Sequence, residues 1–415
     1  MPDHGPYTVN VPGLVDGLWL MWKRWGSIEW SKLVLEAARI AEKGFGVTRG
    51  LATMLEKNYS SLHEDTGSRK TFYSRGLLKP GDKLALKGLA EALRIIACDS
   101  RSFYEGEIAE AIVEYVESRG GVLSSDDLRG YHASIGKPIN ISYRGRKVYE
   151  MPPPTQGLTT LYVLVQLEEQ DISSLKPSSS EKYKVLLEKA RVAYYIRDKY
   201  ITDPRYMSID PWSMLNHEFI EKNREECLRE TNRWSDGDTT FYAIVDREGW
   251  IVAGIQSLFH PFGSYLTEPR YNITLNSRAS SFSLDENHVN RLEPGKKTMH
   301  ILSAIIVEDE DRVMAIGLSG GHYRPLLHAQ LMVNLIDHGM DPQEAIKYPR
   351  IIWKLWGNVI EYEEGLDLSG LKDWKLVERP YPSRLGVAAI TEIRSNGVKA
   401  GYTDIRGDGY PIGLA

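Results

Sequence analysis

Three stretches of the 415-residue sequence hold residues whose type and spacing could do chemistry. The first is Gly317-Leu318-Ser319-Gly320-Gly321. It matches the G-x-S-x-G pattern, in which a serine sits on a sharp turn from strand to helix. It also lies between an expected strand, RVMAIGLS, and an expected helix, HYRPLLHAQLMVNLIDHGM. A hydrolase built on that elbow needs an acid and then a histidine downstream of the serine. The histidines after Ser319 are His322, His328 and His338, all in the helix that follows at once. The chain order therefore argues against Ser319 as a nucleophile. Two readings stay open: a Gly-rich turn that lets a helix start close to a strand, or backbone N–H groups at a helix N-terminus that hold an oxyanion.

The second stretch is the histidine set. Ten histidines are present, none in an H-E-x-x-H motif, and His322, His328 and His338 share no i, i+4 face. A structural or surface role is expected for most, and no metal or organic cofactor is implied. The third is Asp238-Thr239-Thr240-Phe241-Tyr242-Ala243-Ile244-Val245-Asp246, where the polar loop TNRWSDGD gives way to a strand. Threonines commonly begin strands, so this junction says little by itself.

The elements that must position these residues follow from periodicity. SIEWSKLVLEAARIAEKGFGV predicts a helix with Trp30, Leu33, Val34, Ala37, Ala38 and Ala41 on one stripe, Ser27 as cap and Gly44 as stop. EGEIAEAIVEYVESRGG predicts another, with Ile108, Ile112 and Val116 inward and Gly120-Gly121 ending it. INISYRGRKVYEM alternates around a turn at Arg144-Gly145. MPPPTQG reads as an extended, polyproline-like path. LTTLYVLVQLEEQ and SEKYKVLLEKARVAYYIRDKYI return to helical period. After residue 238 strands are expected at TTFYAIVD, WIVAGIQSLF, YNITLNS, HILSAIIVED and RVMAIGLS, and again from about 350 to the end. Pro325 falls in the first turn of the helix after Gly321, where a missing N–H costs little. Helices first, then strands with one strong helix, make a layered α/β or α+β domain.

Composition narrows the class. A net charge of −5 leaves no cationic excess for phosphates, so nucleic acid is not an expected partner. Cys98 and Cys227 are too few for a disulfide framework and are expected as buried thiols. No apolar run is long enough to span a bilayer, and MPDHGPYTVN has neither the basic nor the apolar region of a signal peptide. A cytoplasmic location is the expectation for the chain as written.

Many colinear segments resemble the γ-glutamyltransferase (glutathione hydrolase) family. They are VPGLVDGLW, AARIAEKGF, FYEGEIAEAI, GGVLSSDDLRGY, YRGRKVYEMPPPTQG, ARVAYYIRDKYITDP, DTTFYAIVDREGWIVAG, LSGGHYR, MVNLIDHGMDPQEAIKYPRI and YTDIRGDG. The resemblance implies an α+β fold, a four-layer αββα sandwich of the N-terminal-nucleophile hydrolase type, made as one precursor. It implies cleavage between Asp238 and Thr239. Residues 1–238 would form a helix-rich large-subunit part and 239–415 a β-rich small-subunit part that begins with the nucleophile, the two intertwined as one domain. Thr239 would form an acyl-enzyme with a small-molecule amide or peptide, Ser257 would support it through a hydroxyl, and Gly320 and Gly321 would form the oxyanion hole. The partner implied is the chain's own second fragment.

The residues expected to read a glutamyl group differ. Where the family holds the substrate α-amino group with Asn, Gln and Asp, this sequence has Phe259, Arg278 and Ser281. Where two serines help hold the α-carboxylate, it has His300 and Ile301. A family arginine that clamps the same carboxylate comes from a segment before the VPG motif, and that segment precedes Met1. The expected substrate is thus a γ-glutamyl-like amide or, alternatively, one whose acyl end is anionic or lacks a free α-amine, such as a glutaryl or N-blocked γ-glutamyl group. A further alternative is a truncated, inactive family member.

Overall fold

In the computed structural model of the chain, residues 1–227, 238–354 and 357–414 are described, and helices and sheets both contribute throughout. The residues pack as two units. One comprises Met1–Gly136 with Leu258–Ser281, the other Lys137–Ser257 with Phe282–Ala415. The fold is α+β, as expected. The TNRWSDGD loop, up to residue 237, lies outside the described residues.

The first unit is helical: α1 (Leu14–Trp25), α2 (Trp30–Lys43), α3 (Arg49–Lys57), α4 (Tyr59–Glu64), α5 (Thr66–Phe72), α6 (Lys87–Cys98), α7 (Ser102–Glu105), α8 (Glu107–Ser118) and α9 (Ser125–Arg129). Two-residue strands β1 (Phe45–Gly46) and β2 (Lys83–Leu84) pair between them. Helix α8 buries Ile108, Ile112 and Val116 as its period predicts, and Gly120 follows it at φ 82. Helix α2 departs from expectation. It starts after Glu29 with no side-chain cap, not at Ser27, and of its predicted stripe Ala38 and Ala41 are buried while Leu33 and Ala37 are exposed. The face packed on α6 is the one with small residues, which lets the two helices approach closely. Cys98 also differs. It ends α6 and is exposed, whereas Cys227 is buried.

The second unit is built on a sheet of six strands among the described residues, in the order β15-β14-β10-β9-β4-β3. These are β3 (Ile139–Tyr143), β4 (Arg146–Glu150), β9 (Ile305–Glu308), β10 (Arg312–Leu318), β14 (Ala388–Arg394) and β15 (Lys399–Thr403). The β3–β4 hairpin turns on Arg144 at φ 50 and Gly145 at φ 77, the two left-handed positions of a type I′ loop. Helices α10 (Gly157–Leu167), α11 (Ser180–Tyr200), α12 (His217–Arg224) and α13 (Arg324–Met332) supply the core over the sheet, and β11 (Ile351–Trp353), β12 (Val359–Glu363) and β13 (Lys375–Arg379) form a separate three-stranded sheet. Met314, Ile316 and Leu318 of β10 join that core, so the odd-numbered Ala315 and Gly317 face the other way. Over that second face lies a ribbon of β5 (Asp238–Val245) and β6 (Ile251–Phe259), whose β5 packs on β10 and β14.

Three stretches fold differently from their sequence period. YNITLNS is extended only at β8 (Ile273–Thr274), because its partner β7 (Thr267–Glu268) offers two residues and Asn272 turns to φ 52. HILSAIIVED enters the sheet only at Ile305, because His300 pairs instead with the proline segment: His300 N–H donates to Pro154 O at 2.8 Å and Gln156 N–H to His300 O at 3.0 Å. That segment is itself a turn, not an extended rod. The Pro153–Pro154 bond is cis, and Thr155 N–H closes on Pro152 O at 3.2 Å, the form in which a cis proline occupies the third turn position.

One side chain of this core is costly. Lys182 on α11 is fully buried, with Nζ 2.6 Å from Asn334 Oδ1. Burial pulls its pKa down to about 7, opposed by Asp337. Between about pH 7 and 10.5 the unfolded chain binds a proton that the folded chain does not. Stability therefore rises with pH from about 7 toward 10.5, and at pH 7 the buried lysine costs on the order of 4 kcal/mol. Lys182→Met should be more stable than the parent in urea titrations at pH 7, and the difference should shrink steadily by pH 10. A pH-independent difference would remove protonation of Lys182 as its cause.

Candidate active site

The turn after β10 is made by residues that few other types could replace. Gly320 lies at φ 151 and Gly321 at φ 54. A Cβ on Gly320 would come within 2.7 Å of the Leu327 side chain. Ser319 does not act as an elbow nucleophile. Its N–H donates to Val387 O at 2.9 Å, and its hydroxyl accepts from Val387 N–H at 3.0 Å, so it extends the β10–β14 pairing by one residue. The carbonyls of both glycines are engaged: Gly320 O accepts from Tyr323 N–H at 2.9 Å, and Gly321 O accepts from Gln156 Nε2 at 2.9 Å. Among the described residues, neither glycine N–H has an acceptor within the protein. Two such groups on a fixed turn at a helix start are suited to hold developing negative charge.

The turn is held from below by a buried polar network. Arg324, the first residue of α13, is completely buried; its Nε donates to Leu318 O at 2.7 Å, and its Nη1 bonds to Ile301 O. Gln156 Nε2 donates to the same Ile301 carbonyl at 3.0 Å, while Gln156 Oε1 accepts from Arg197 Nη1 at 3.0 Å. Arg197, also completely buried, pairs with Asp198 at 2.8 Å and stacks over the Tyr194 ring at 4.7 Å. The Tyr194 hydroxyl donates to His322 O at 2.8 Å. His322 and His328 are thus core residues. His328 lies 3.4 Å from Glu150 with both side chains fully buried, and burial holds its imidazole below the ordinary range, against the pull of that carboxylate. Gln156, Arg197 and Arg324 were not singled out from sequence. The signal was a strongly polar side chain inside an otherwise apolar helical or Gly-rich run.

Thr239 is the second residue of β5, partly buried, with its hydroxyl oxygen enclosed. Alternation puts it on the same face as Phe241. That face looks onto β10, because a Cβ on Gly317 would lie 2.4 Å from the Phe241 ring. Gly317 therefore exists to let β5 sit down on the strand that ends in the glycine turn. Across the ribbon, Gly254 makes the same kind of room for the Tyr242 ring, at 2.2 Å from a notional Cβ. Ser257 is in β6, the partner of β5.

The remaining predicted residues fall into two groups. Phe259, Arg278 and Ser281 belong to the first unit. Phe259 is buried at a left-handed φ of 81, an uncommon place for a bulky residue. The Arg278 guanidinium lies 4.5 Å over its ring, a cation–π contact. Arg278 and Ser281 bound one 3-10 turn (Arg278–Ser281), tied by Arg278 N–H donating to Asn276 Oδ1 at 2.9 Å. His300 and Ile301 belong to the second unit, where their main chains bind the proline turn and the Arg324–Gln156 network.

Comparison with known proteins gives a consistent family. The family described as gamma-glutamyltranspeptidase matches residues 1–414. The glutathione hydrolase-like YwrD proenzyme of Bacillus subtilis is 33% identical, over 98% of this chain and 81% of its own. The oxamate amidohydrolase proenzyme of Klebsiella pneumoniae is 28% identical, over 100% of this chain and 82% of its own. Among solved structures, the cephalosporin acylase from Bacillus halodurans superposes with a TM-score of 0.89 at 30% identity, over 99% of this chain and 79% of that one.

The Gly317–Phe241 contact is open to direct test. Gly317→Ala should destabilise the protein by about 1–3 kcal/mol, the usual cost of overpacking. Gly317→Ala with Phe241→Leu should recover more than half of that loss in urea titrations. Additive losses in the double variant would mean that the two side chains do not meet.

Proposed function

The chain belongs to the gamma-glutamyltranspeptidase family, which includes hydrolases and acylases, and on that footing we propose that it is a self-cleaving amidohydrolase or acyltransferase whose nucleophile is Thr239. The supporting observation is the seating of β5: Phe241 packs on Gly317, three residues before Gly320, with the Thr239 hydroxyl enclosed on the same strand face.

In the precursor, the Thr239 hydroxyl attacks the carbonyl carbon of Asp238, and the Asp238–Thr239 amide becomes an ester as the Thr239 nitrogen is protonated. Water hydrolyses that ester and leaves Thr239 with a free α-amine. An α-amine has a pKa of about 7.7–8.0, so it serves as the base for its own hydroxyl near neutral pH. A substrate amide then transfers its acyl group to Thr239 Oγ1 and its nitrogen leaves with a proton. Water or an acceptor amine releases the acyl group. The Gly320 and Gly321 N–H groups hold the tetrahedral oxyanion, and the Ser257 hydroxyl supports the nucleophile. The two fragments, of 238 and 177 residues, stay together as a heterodimer. The four-layer αββα sandwich remains the proposed architecture, and the packing of helices on one face of the six-stranded sheet and of the β5–β6 ribbon on the other supports it.

For the acyl group, the second reading is favoured over plain γ-glutamyl by Arg278. A guanidinium held on the Phe259 ring repels an α-ammonium and attracts a carboxylate. The proposed substrates are amides of glutaryl-like or N-blocked γ-glutamyl groups.

Intact mass of the purified protein should show the two fragments, with Thr239 as a new N-terminus, and Thr239→Ala should stay as one 415-residue chain. A parent chain that remains uncut on incubation would overturn the mechanism. For specificity, kcat/KM on glutaryl anilide should exceed that on γ-glutamyl anilide. Arg278→Gln should lower the glutaryl value by about tenfold to a hundredfold, the effect of losing a charge-assisted contact of about 1.5–3 kcal/mol. Preference for plain γ-glutamyl anilide would reverse the assignment of Arg278.

A further inference from the structure

Residues 3–10 run along the segment that holds Phe259 and Arg278, within the same unit. Gly5 N–H donates to Ser264 O at 3.0 Å. The His4 ring stacks on Tyr265 at 4.0 Å and 18°, and its Nδ1 lies 3.1 Å from Gly263 O. The 3-10 turn Pro6–Thr8 packs on the turn Arg278–Ser281. The tie nearest to Arg278 is Asn276, a buried amide used at both of its ends. Its Oδ1 accepts from Asn10 N–H at 3.2 Å and from Arg278 N–H at 2.9 Å, and its Nδ2 donates to Asn10 O at 2.7 Å. One side chain thus fastens the main chain of Arg278 to that of Asn10.

A second tie reaches the Phe259 side of the stack. His260 Nδ1 lies 3.0 Å from Asp3 O and 3.1 Å from Ser277 Oγ. A carbonyl only accepts, so Nδ1 carries the proton. Burial, and after it the neighbouring His4, pull the His260 pKa down to about 4, so near neutral pH the ring adds no second positive charge beside Arg278. Ser277, fully buried, joins the two stretches by donating its N–H to Leu258 O at 2.9 Å. Phe259 is therefore pinned through both chain neighbours, with its ring 4.3 Å from that of His260 and 4.5 Å from the Arg278 guanidinium. A guanidinium on a long flexible stem reads a carboxylate well only when the base of the stem and the ring under its head are both held. We propose that Asn276 and His260 are positioning residues for Arg278, and that the strap formed by residues 3–10 sets acyl specificity through them. The inference rests on the assignment of Arg278 to the acyl carboxylate. Loosening the strap weakens the hold on that carboxylate and leaves the chemistry at Thr239 as it is.

The test is steady-state kinetics of the cleaved enzyme on glutaryl and γ-glutamyl anilides, together with hydrogen exchange of the peptide spanning 276–283. Asn276→Ala should raise the glutaryl KM about tenfold while kcat stays within about twofold. It should also speed exchange of that peptide about fivefold or more. In an Arg278→Gln background the same change should move the glutaryl KM by less than about twofold, because no guanidinium is left to position. His260→Phe keeps a ring beside Phe259 and removes the donor to Asp3 O. It should raise the glutaryl KM about threefold, again only while Arg278 is present, and it carries the test where Asn276→Ala yields no cleaved enzyme. If Arg278→Gln alone leaves the glutaryl KM unchanged, the acyl assignment fails and takes this inference with it. If Arg278→Gln raises that KM but neither Asn276→Ala nor His260→Phe does, or if their effects add in full to that of Arg278→Gln, the positioning role is overturned and the acyl assignment stands.

Discussion

The Arg324 guanidinium fixes the place where chemistry is proposed. It bonds main-chain carbonyls on two segments, Leu318 at the end of β10 and Ile301 in the strand-like run before β9. A fully buried cation that meets neutral carbonyls carries a desolvation penalty. What it secures is geometry. Gln156 shares the Ile301 carbonyl and also takes that of Gly321, so the proline turn, the 300–301 segment and the glycine turn are held as one piece. The Gly320 carbonyl shares a peptide plane with the Gly321 N–H, so the bond it accepts from Tyr323 N–H holds that donor in one orientation. A preorganised donor pair stabilises a transition-state charge without reorganising during the reaction.

A second charged cluster braces the same turn from the C-terminal side. Arg406 forms two hydrogen bonds to Glu363, at 2.7 and 2.5 Å, and one to Asp404 at 2.9 Å; Arg350 pairs with Asp404 at 2.8 Å. All four are buried, with two charges of each sign, so the cluster is neutral as a whole. Asp404 also accepts from Ala388 N–H at 3.0 Å, one residue beyond the Val387 that pairs with Ser319. The YTDIRGDG motif is thus a brace that anchors β14 beside the turn. Each of these carboxylates also takes a backbone N–H, which is what makes a buried ion pair tolerable.

How much of this was legible in sequence depended on whether a signal was local. The Arg144-Gly145 turn is fixed by backbone preferences within two residues, and the α8 stripe by the helical period, and both stand as read. The start of α2, the exposure of Cys98 and the delayed start of β9 depend on what packs alongside, and no period records that. The glycine pattern was legible as a turn but not as chemistry. Ser319 satisfies the elbow motif, yet its hydroxyl is used by Val387, a residue 68 positions away. Gly317 fits the same motif for a different reason, since its missing side chain admits Phe241 from another strand. The buried arginines were the least legible, because a charged residue in an apolar helix is identified only once its acceptors are known.

The residues proposed for catalysis and those proposed for recognition rest on separate supports. The residues proposed for chemistry, Thr239, Ser257, Gly320 and Gly321, lie in the second unit, and the two glycines are held by its own buried network. Phe259 and Arg278 lie in the segment that packs with the first unit and are fixed by a stacking contact and by the short turn at Arg278–Ser281. Phe259, one of the residues proposed to read the acyl group, holds a left-handed φ of 81. A strained backbone at a buried aromatic persists only where surrounding contacts over-determine it, and the guanidinium on its ring is one of those contacts.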